Sequence, residues 1–243
     1  MSRGGGWVLG RLDATRVWRD LATAHINYSV DEVRRPSWDM DTHRTGLATE
    51  RPGAPEPTGF WAHACGLVRD YEFSPPEIVQ ALYDPAAPLL GRDMLLEARF
   101  HGMHFYCGVR VTEVVDELRE NGDRVWGWAY ETLEGHLERG KVTYEVIKHQ
   151  DTGRVTFLAS GYSQGAPTLD RLTFLGWRIF GRRMQLRFYR RCGERLRTFV
   201  QGGWRGDNVP PRSFPHVKHL RLAPSDAKIR RLDALAIRRI APG

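Results

Sequence analysis

Apolar residues fall at Leu169, Thr173, Trp177, Phe180, Met184, Phe188, Cys192, Leu196 and Phe199, in steps of three or four that line one face of a helix. The spacing predicts a single helix from Pro167 to Gln201. Pro167 suits a first helical turn, Asp170 suits the positive helix start, and Gly202-Gly203 ends the pattern. At 1.5 Å per residue such a helix runs roughly 50 Å, the breadth of a domain, so its apolar stripe needs a broad partner.

Upstream the period changes to two, the mark of strands. Met94, Leu96, Ala98 and Phe100 alternate with Leu95, Glu97, Arg99 and His101, and His101-Gly102 reads as a turn. Phe105, Cys107, Val109, Val111 and Val115 form the next inward set. Asn121-Gly122-Asp123 predicts a hairpin into a strand with Trp126, Trp128, Tyr130 and Thr132 on one face. Val142, Tyr144 and Val146 follow, and Asp151-Thr152-Gly153 turns the chain back so that Val155, Phe157 and Ala159 face alike. Before these, Phe60 to Phe73 reads as a strand, and Ser74-Pro75-Pro76-Glu77 as the cap of a short helix ending at Asp84-Pro85.

Antiparallel strands twist and curve, and a sheet with one apolar face needs a cover. The fold class expected is therefore α+β: a helix grip, in which a curved antiparallel sheet wraps one long C-terminal helix. The organisation expected is an N-terminal segment over 1–26, helical over 11–26, a polar Pro/Gly-rich loop over 27–59, the helix-grip domain over 60–201, and a basic tail over 202–243. In the tail, Ser225-Asp226 precedes Ile229, Leu232, Ala236 and Ile240, a pattern that fits an amphipathic helix docked on the domain or in peripheral contact with a membrane through 225–240. Loss of residues 204–243 is expected to be mild.

Composition changes this picture in two ways. The chain has 243 residues, 41% hydrophobic and 27% charged, as in a folded globular protein. Its net charge of +7 is uneven: residues 167–201 hold nine Arg against Asp170 and Glu194, and residues 202–243 hold nine Lys and Arg against three Asp. A basic quarter attracts nucleic acid or anionic surfaces, but charge is the sole argument, and a solvated helix face accounts for it better. No apolar run reaches the ~20 residues of a bilayer span, and the start lacks a signal-peptide pattern, so the expected location is cytoplasmic. Cys65, Cys107 and Cys192 have neither disulfide-framework nor metal-knuckle spacing. No P-loop, G-x-G-x-x-G, G-x-S-x-G or H-E-x-x-H is present, and the H-x-E at His136 lacks the downstream P-C-x-x-C of a zinc deaminase. The sequence thus implies neither a cofactor nor a metal, and oligomeric state is left open.

The most distinctive stretch is Trp128-Ala129-Tyr130-Glu131-Thr132-Leu133-Glu134-Gly135-His136-Leu137-Glu138-Arg139-Gly140. With Asn27-Tyr28-Ser29 and Gln185, it resembles a domain-of-unknown-function family with N-Y-S near its start and aromatic-A-Y-x-T-L-x-G-H-x-E-x-G at its centre. The resemblance spans about residues 25–200. The Pro-rich segment after Ser29 departs from the family pattern, and the tail after Gln201 has no counterpart in it. The family looks like a branch of the START and polyketide-cyclase-like helix-grip superfamily, which implies a lipophilic ligand between sheet and helix and supplies no reaction.

His136 and Glu138 alternate by two, which places both side chains on one side of an extended segment, an arrangement suited to acid–base chemistry with Tyr130 nearby. The plainer alternative is that His136 bonds backbone in the turn while Glu138 pairs with an arginine. Catalytic candidates are therefore His136, Glu138 and Tyr130 of a cyclase, hydrolase or isomerase. The leading function is a binding module for a hydrophobic small molecule, lined by Phe105, Val109, Tyr144, Phe157, Trp177, Phe180, Gly181, Met184 and Gln185. Gly176 and Gly181 each weaken a helix by about 1 kcal/mol relative to Ala, so a bend or a close approach is expected there.

Overall fold

The computed structural model describes residues 7–10, 14–34, 36–100, 103–166, 182–203, 213–214, 217–227 and 236–239. Strand β1 (Trp7–Gly10) and helix α1 (Ala14–Leu21) precede a one-turn 3-10 helix at Val30–Glu32. Then come β2 (Asp39–Thr49), α2 (Phe60–Arg69), β3 (Val79–Tyr83), β4 (Asp93–Phe100), β5 (Met103–Leu118), β6 (Arg124–Thr132), β7 (Glu138–Lys148) and β8 (Arg154–Gly165). Helix α3 (Arg182–Gly202) and strands β9 (Ser213–Phe214), β10 (Val217–Ala223) and β11 (Ala236–Arg239) complete the described chain. One sheet runs in the order β2-β8-β7-β6-β5-β4-β3-β10-β9, antiparallel at every step. β11 lies parallel to the start of β5, at His104 and Phe105, and antiparallel to β1.

The two faces of the sheet follow from the pleat. On the concave face Val109 and Val111 of β5, Trp128 and Tyr130 of β6, Tyr144 and Val146 of β7, and Val155, Phe157 and Ala159 of β8 form one core with Phe188, Tyr189, Cys192, Leu196 and Val200 of α3. These strand residues share the face expected from their alternation. On the convex face Leu82, Leu95, Leu133 and Leu220 pack with Leu21 of α1 in a smaller cluster. The turns at Gly122 and Gly153 have φ of 82° and 73°, the left-handed geometry that makes glycine the residue of choice in a tight hairpin. The architecture is a helix grip: a curved antiparallel sheet closed on its inner side by the C-terminal helix.

Several expectations are corrected. Phe60–Phe73 is not a strand. Its first ten residues are α2, whose Ala64, Leu67 and Val68 recur at helical spacing and are buried; a short apolar run is ambiguous between the two periods. The residues after Ser74-Pro75-Pro76-Glu77 form β3, not a helix. Ala81, Leu82 and Tyr83 are all buried, so the alternation that marks a one-faced strand is missing, and the Ser74 hydroxyl donates to the Val79 carbonyl at 2.7 Å. The polar loop over 27–59 contains the eleven-residue edge strand β2, polar because its outer face meets solvent while α3 covers the other. In the tail, β10 pairs with β3 and Ala236–Arg239 is extended where the helix was expected to continue; residues 228–235, which hold most of that expected helix, lie outside the described residues. The helix expected from Pro167 is described from Arg182 onward, and its upstream part lies outside the described residues, as does the turn at His101-Gly102.

Helix α3 comes nearest to the sheet at Gly193, a glycine to which the sequence drew no attention. A Cβ there would lie 2.1 Å from Thr45 Oγ1 and 2.8 Å from Thr45 Cβ, so the helix and β2 touch where a side chain is missing. Gly193→Ala is expected to lower stability by about 1–3 kcal/mol through overpacking, despite a helix-propensity gain of about 1 kcal/mol. Thr45→Ala should not rescue it, because Thr45 Cβ is itself in the way, whereas Thr45→Gly should; urea denaturation of the four variants checks this.

The tail is bound to the core by a buried carboxylate. Glu72 accepts from Ser225 N at 2.8 Å, Ser225 Oγ at 2.9 Å and Arg221 Nη2 at 2.6 Å. A chain ending at Gly203 leaves that carboxylate buried without these donors and opens the β3 edge, so the loss is expected to exceed about 3 kcal/mol, against the mild effect the sequence suggests. A truncated chain that melts cooperatively at the full-length temperature would contradict this.

Candidate functional site

Four tyrosines from four separate elements meet beneath α3. Tyr71 follows α2, Tyr130 lies on β6, Tyr144 on β7 and Tyr189 on α3, and all are buried. Tyr130 Oη and Tyr144 Oη are 3.3 Å apart. Tyr189 Oη accepts from Gln185 Nε2 at 3.5 Å, and the Tyr71 hydroxyl is buried with no hydrogen-bond partner. Ser74, Tyr130 and Tyr144 are near enough to act on the Tyr71 phenol, but not in bonding geometry. Desolvation pushes all four phenols upward, so they are neutral donors.

Tyr71 is also held at φ 60°, a left-handed conformation rare for a bulky residue and costing about 1–3 kcal/mol. The surroundings impose this geometry. Glu72 N donates to Leu67 O at 2.9 Å, the Glu72 carboxylate is gripped by Arg221 and Ser225, and the Glu72 carbonyl accepts from Arg195 Nε of α3 at 2.9 Å. Packed rings fill the flank beside Tyr71: its ring centroid lies 5.0 Å from that of Phe73, which in turn lies 4.6 Å from Tyr144. Trp128 closes the other side and donates from Nε1 to Val68 O of α2 at 3.1 Å.

A polar relay reaches this cluster from the start of α3. Arg182 Nη2 donates to Asp41 Oδ1 of β2 at 2.5 Å, and Arg182 Nη1 to Gln185 Oε1 at 3.1 Å. Gln185 Nε2 then donates to the buried Ser163 Oγ at 3.0 Å.

Of the predicted lining residues, Val109, Tyr144 and Phe157 are core residues with no exposure, Met184 packs half-buried against that core, and Gln185 holds the relay. Phe105 is on the same face of β5 but packs with Cys107 and Leu137 in a separate cluster. Trp177, Phe180 and Gly181 lie outside the described residues. The structure adds Tyr71, Tyr189, Cys192, Asp41 and Arg182 to the site. Tyr189 was visible four residues from Gln185, whereas Tyr71, at a helix end in a region read as strand, carried no signal.

The catalytic candidates do not form an imidazole–carboxylate pair through Nδ1. His136 Nδ1 accepts instead from the backbone N of Glu138 at 2.9 Å, the turn role that was the plainer alternative. Burial lowers the His136 pKa to about 4, so its ring is neutral at neutral pH. Tyr130 belongs to the tyrosine cluster, and the charge of Glu138 is near enough to raise the phenols of Tyr130 and Tyr189 further.

The two halves of the sequence signature meet in space. Asn27 Nδ2 donates to the Glu138 carbonyl at 2.9 Å, and Asn27 Oδ1 accepts from Thr132 Oγ1 at 2.6 Å. Tyr28 Oη donates to Glu131 Oε1 at 2.7 Å and lies 3.0 Å from Tyr162 Oη. The N-Y-S segment thus laces the N-terminal chain to the β6–β7 connection. Among the described residues no His/Cys/Asp/Glu group has the make-up of a metal site, and no helix is long and apolar enough to cross a membrane.

A family model described as a domain of unknown function (DUF1990) matches residues 24–195. No curated protein matches the chain. Among solved structures, it is similar to a point mutant of norcoclaurine synthase from Thalictrum flavum in complex with a transition-state analogue, at 11% identity, covering 68% of this chain and 96% of that one, TM-score 0.44. It is similar to TTHA0849 from Thermus thermophilus at 12% identity over 69% of this chain and 99% of that one, TM-score 0.44. A third is major latex-like protein 151 from Panax ginseng, at 13% identity over 61% and 95% of the two chains, TM-score 0.34. These likenesses are of outline, and the architecture rests on the strand order itself.

The neutral His136 makes a testable component of stability. The unfolded ring titrates near 6.5 and the folded ring near 4, so between these values the unfolded chain binds a proton that the folded chain does not. This component is fully present above pH 6.5 and is lost as pH falls toward 4. His136→Asn, which keeps an acceptor near Nδ1, is expected to flatten the fall in unfolding free energy between pH 7 and 4.5, measured by urea titration at each pH.

Proposed function

The chain belongs to this family of unknown function, and from its own geometry we propose that it is a binding module for a lipophilic small molecule held between the curved sheet and α3. One observation carries the reading. Beneath α3 phenols from four elements converge in an apolar surround, and the buried Tyr71 hydroxyl among them has no hydrogen-bond partner. A few convergent polar groups among apolar side chains are the make-up of a small-molecule site, with Tyr130 and Met184 as further contacts.

An enzymatic role for His136, Glu138 and Tyr130 has less support, since Nδ1 of His136 is occupied and a base of pKa about 4 is weak at neutral pH. A nucleic-acid partner also has less support. Arg182 pairs with Asp41, Arg191 with Glu77 and Glu194, Arg195 with Asp226 and Arg221 with Glu72, so these four arginines of the basic quarter are engaged within the fold. The partner proposed is a hydrophobic small molecule.

A thermal-shift series with fatty acids, sterols, polyketides and flat aromatics tests the proposal. A ligand at a hundred times its Kd adds about 2.7 kcal/mol to folded-state stability, so one class is expected to raise the melting temperature in a concentration-dependent way. If none does so, the binding reading falls and a scaffold role replaces it.

A further inference from the structure

We infer that the buried tyrosines form an oxygen-anchoring site, and that the ligand carries a neutral carbonyl-type oxygen, as in a ketone, aldehyde, ester or quinone. The inference rests on the binding reading above and narrows the ligand's chemistry.

Several O–H donors of the cluster are not spent on one another. The Tyr71 O–H has no partner. The Tyr130–Tyr144 contact uses one of two O–H groups and leaves the other. Tyr189 receives a hydrogen bond from Gln185, so its own O–H is not spent there. Each phenol carries one donor, and desolvation keeps all four protonated. Cys192, which is near enough to act electrostatically on Tyr71, Tyr130 and Tyr144, is at most a weak acceptor. Convergent, unspent O–H donors in an apolar surround are complementary to an oxygen with two lone pairs, as in sites that select a carbonyl by leaving their own donors unpaired without it.

Charge narrows the choice of oxygen. A carboxylate would satisfy the same donors, but carrying its charge out of water into an interior of neutral phenols costs far more than carrying a neutral oxygen there. A neutral carbonyl meets no such opposition. The placement of Tyr71 agrees: the fold holds this bulky residue at φ 60° with its hydroxyl unpartnered, two unfavourable features that packing alone would remove by using phenylalanine in a relaxed loop. The bonds around Glu72 hold the loop that sets this position.

The test uses the full chain with matched pairs differing in one oxygen: benzophenone against diphenylmethane and menthone against menthane, with diphenylacetate as the anionic arm. Affinities come from calorimetric titration backed by thermal shift. The ketone is expected to bind about tenfold more tightly than its hydrocarbon, and diphenylacetate no better than diphenylmethane. Tyr71→Phe is expected to reduce the ketone preference to about twofold or less, leave hydrocarbon affinity unchanged, and leave the melting temperature of the free protein equal or higher. Tyr130→Phe, which removes one hydroxyl of a pair, should reduce it in part. Equal affinity for ketone and hydrocarbon, a preference that survives Tyr71→Phe, or tighter binding of diphenylacetate overturns the oxygen anchor and leaves the binding reading standing. A parent protein that binds no member of either pair overturns both.

Discussion

The Glu72 carboxylate is buried at the junction of three parts of the fold, and its hydrogen bonds decide how those parts meet. Arg221 and Ser225 reach it from 149 and 153 residues further along the chain, while Arg195 of α3 donates to its carbonyl and forms a bidentate pair with Asp226 at 2.6 and 3.1 Å. A carboxylate removed from water is strongly destabilising unless surrounded by donors. Once satisfied, it fixes the loop that carries Tyr71 and Phe73 into the core, the angle at which α3 crosses the sheet, and the seat of β10 beside β3. A second buried pair does similar work at the opposite edge. Lys148 Nζ lies 2.5 Å from Glu50 Oε2, both side chains fully enclosed, and Glu50 also accepts from Trp61 N at 2.6 Å. This joins the end of β2 to the start of α2 and to β7. The helix grip is therefore latched at both edges by ionic contacts in an otherwise apolar interior.

What the sequence disclosed follows from where burial is one-sided. The strands with a concave and a convex face, from Met94 to Ala159, showed period-two alternation, and the α3 residues Phe188, Cys192 and Leu196 showed helical spacing. The legible part ended where that asymmetry ended. β3 is buried on both faces and lost its alternation; β2 is an edge strand whose polar outer residues conceal Leu47; α2 is a short apolar run whose period is ambiguous. In the tail, Ile229, Leu232, Ala236 and Ile240 have helical spacing, yet Ala236–Arg239 is extended and pairs with β1 and β5, and β10 upstream is held by pairing with β3 and by ion pairs, long-range contacts that no local pattern encodes. The candidate site was legible only in its strand and helix members. Tyr144, Phe157 and Gln185 could be placed from their periods. Tyr71 could not, because its position depends on a left-handed residue stabilised from the far end of the chain.

The most distinctive motif illustrates a separate point. Residues that look like chemistry in one dimension, Asn27-Tyr28 and Thr132 through Glu138, turn out to grip one another. Thr132 Oγ1 bonds to Asn27 and also accepts from Gly140 N at 2.9 Å, and Arg139 reaches Glu32 at 2.7 Å while its guanidinium covers the Trp38 ring. A motif with several polar residues at fixed spacing is as easily a fastening as a reaction centre, and hydrogen-bond saturation distinguishes them. The side chains of the fastening bond mainly to one another, whereas in the tyrosine cluster the Tyr71 hydroxyl bonds to nothing.

The pairing of β10 with β3 has a consequence for the order in which the molecule is assembled. During synthesis β3 emerges early and pairs with β4, but its other edge and the Glu72 carboxylate wait until more than a hundred further residues have been made. Over that interval the nascent sheet presents an unpaired row of amides and carbonyls beside a half-satisfied buried charge, a state suited to capture by a neighbouring chain. β2 waits similarly for β8 and α3. With β3 and β2 both paired by segments made much later, the domain has high contact order and gains most of its cooperativity only after those segments emerge. How long that edge stays open then depends on how quickly β10 arrives, a kinetic property set by topology and not by the strength of any one contact.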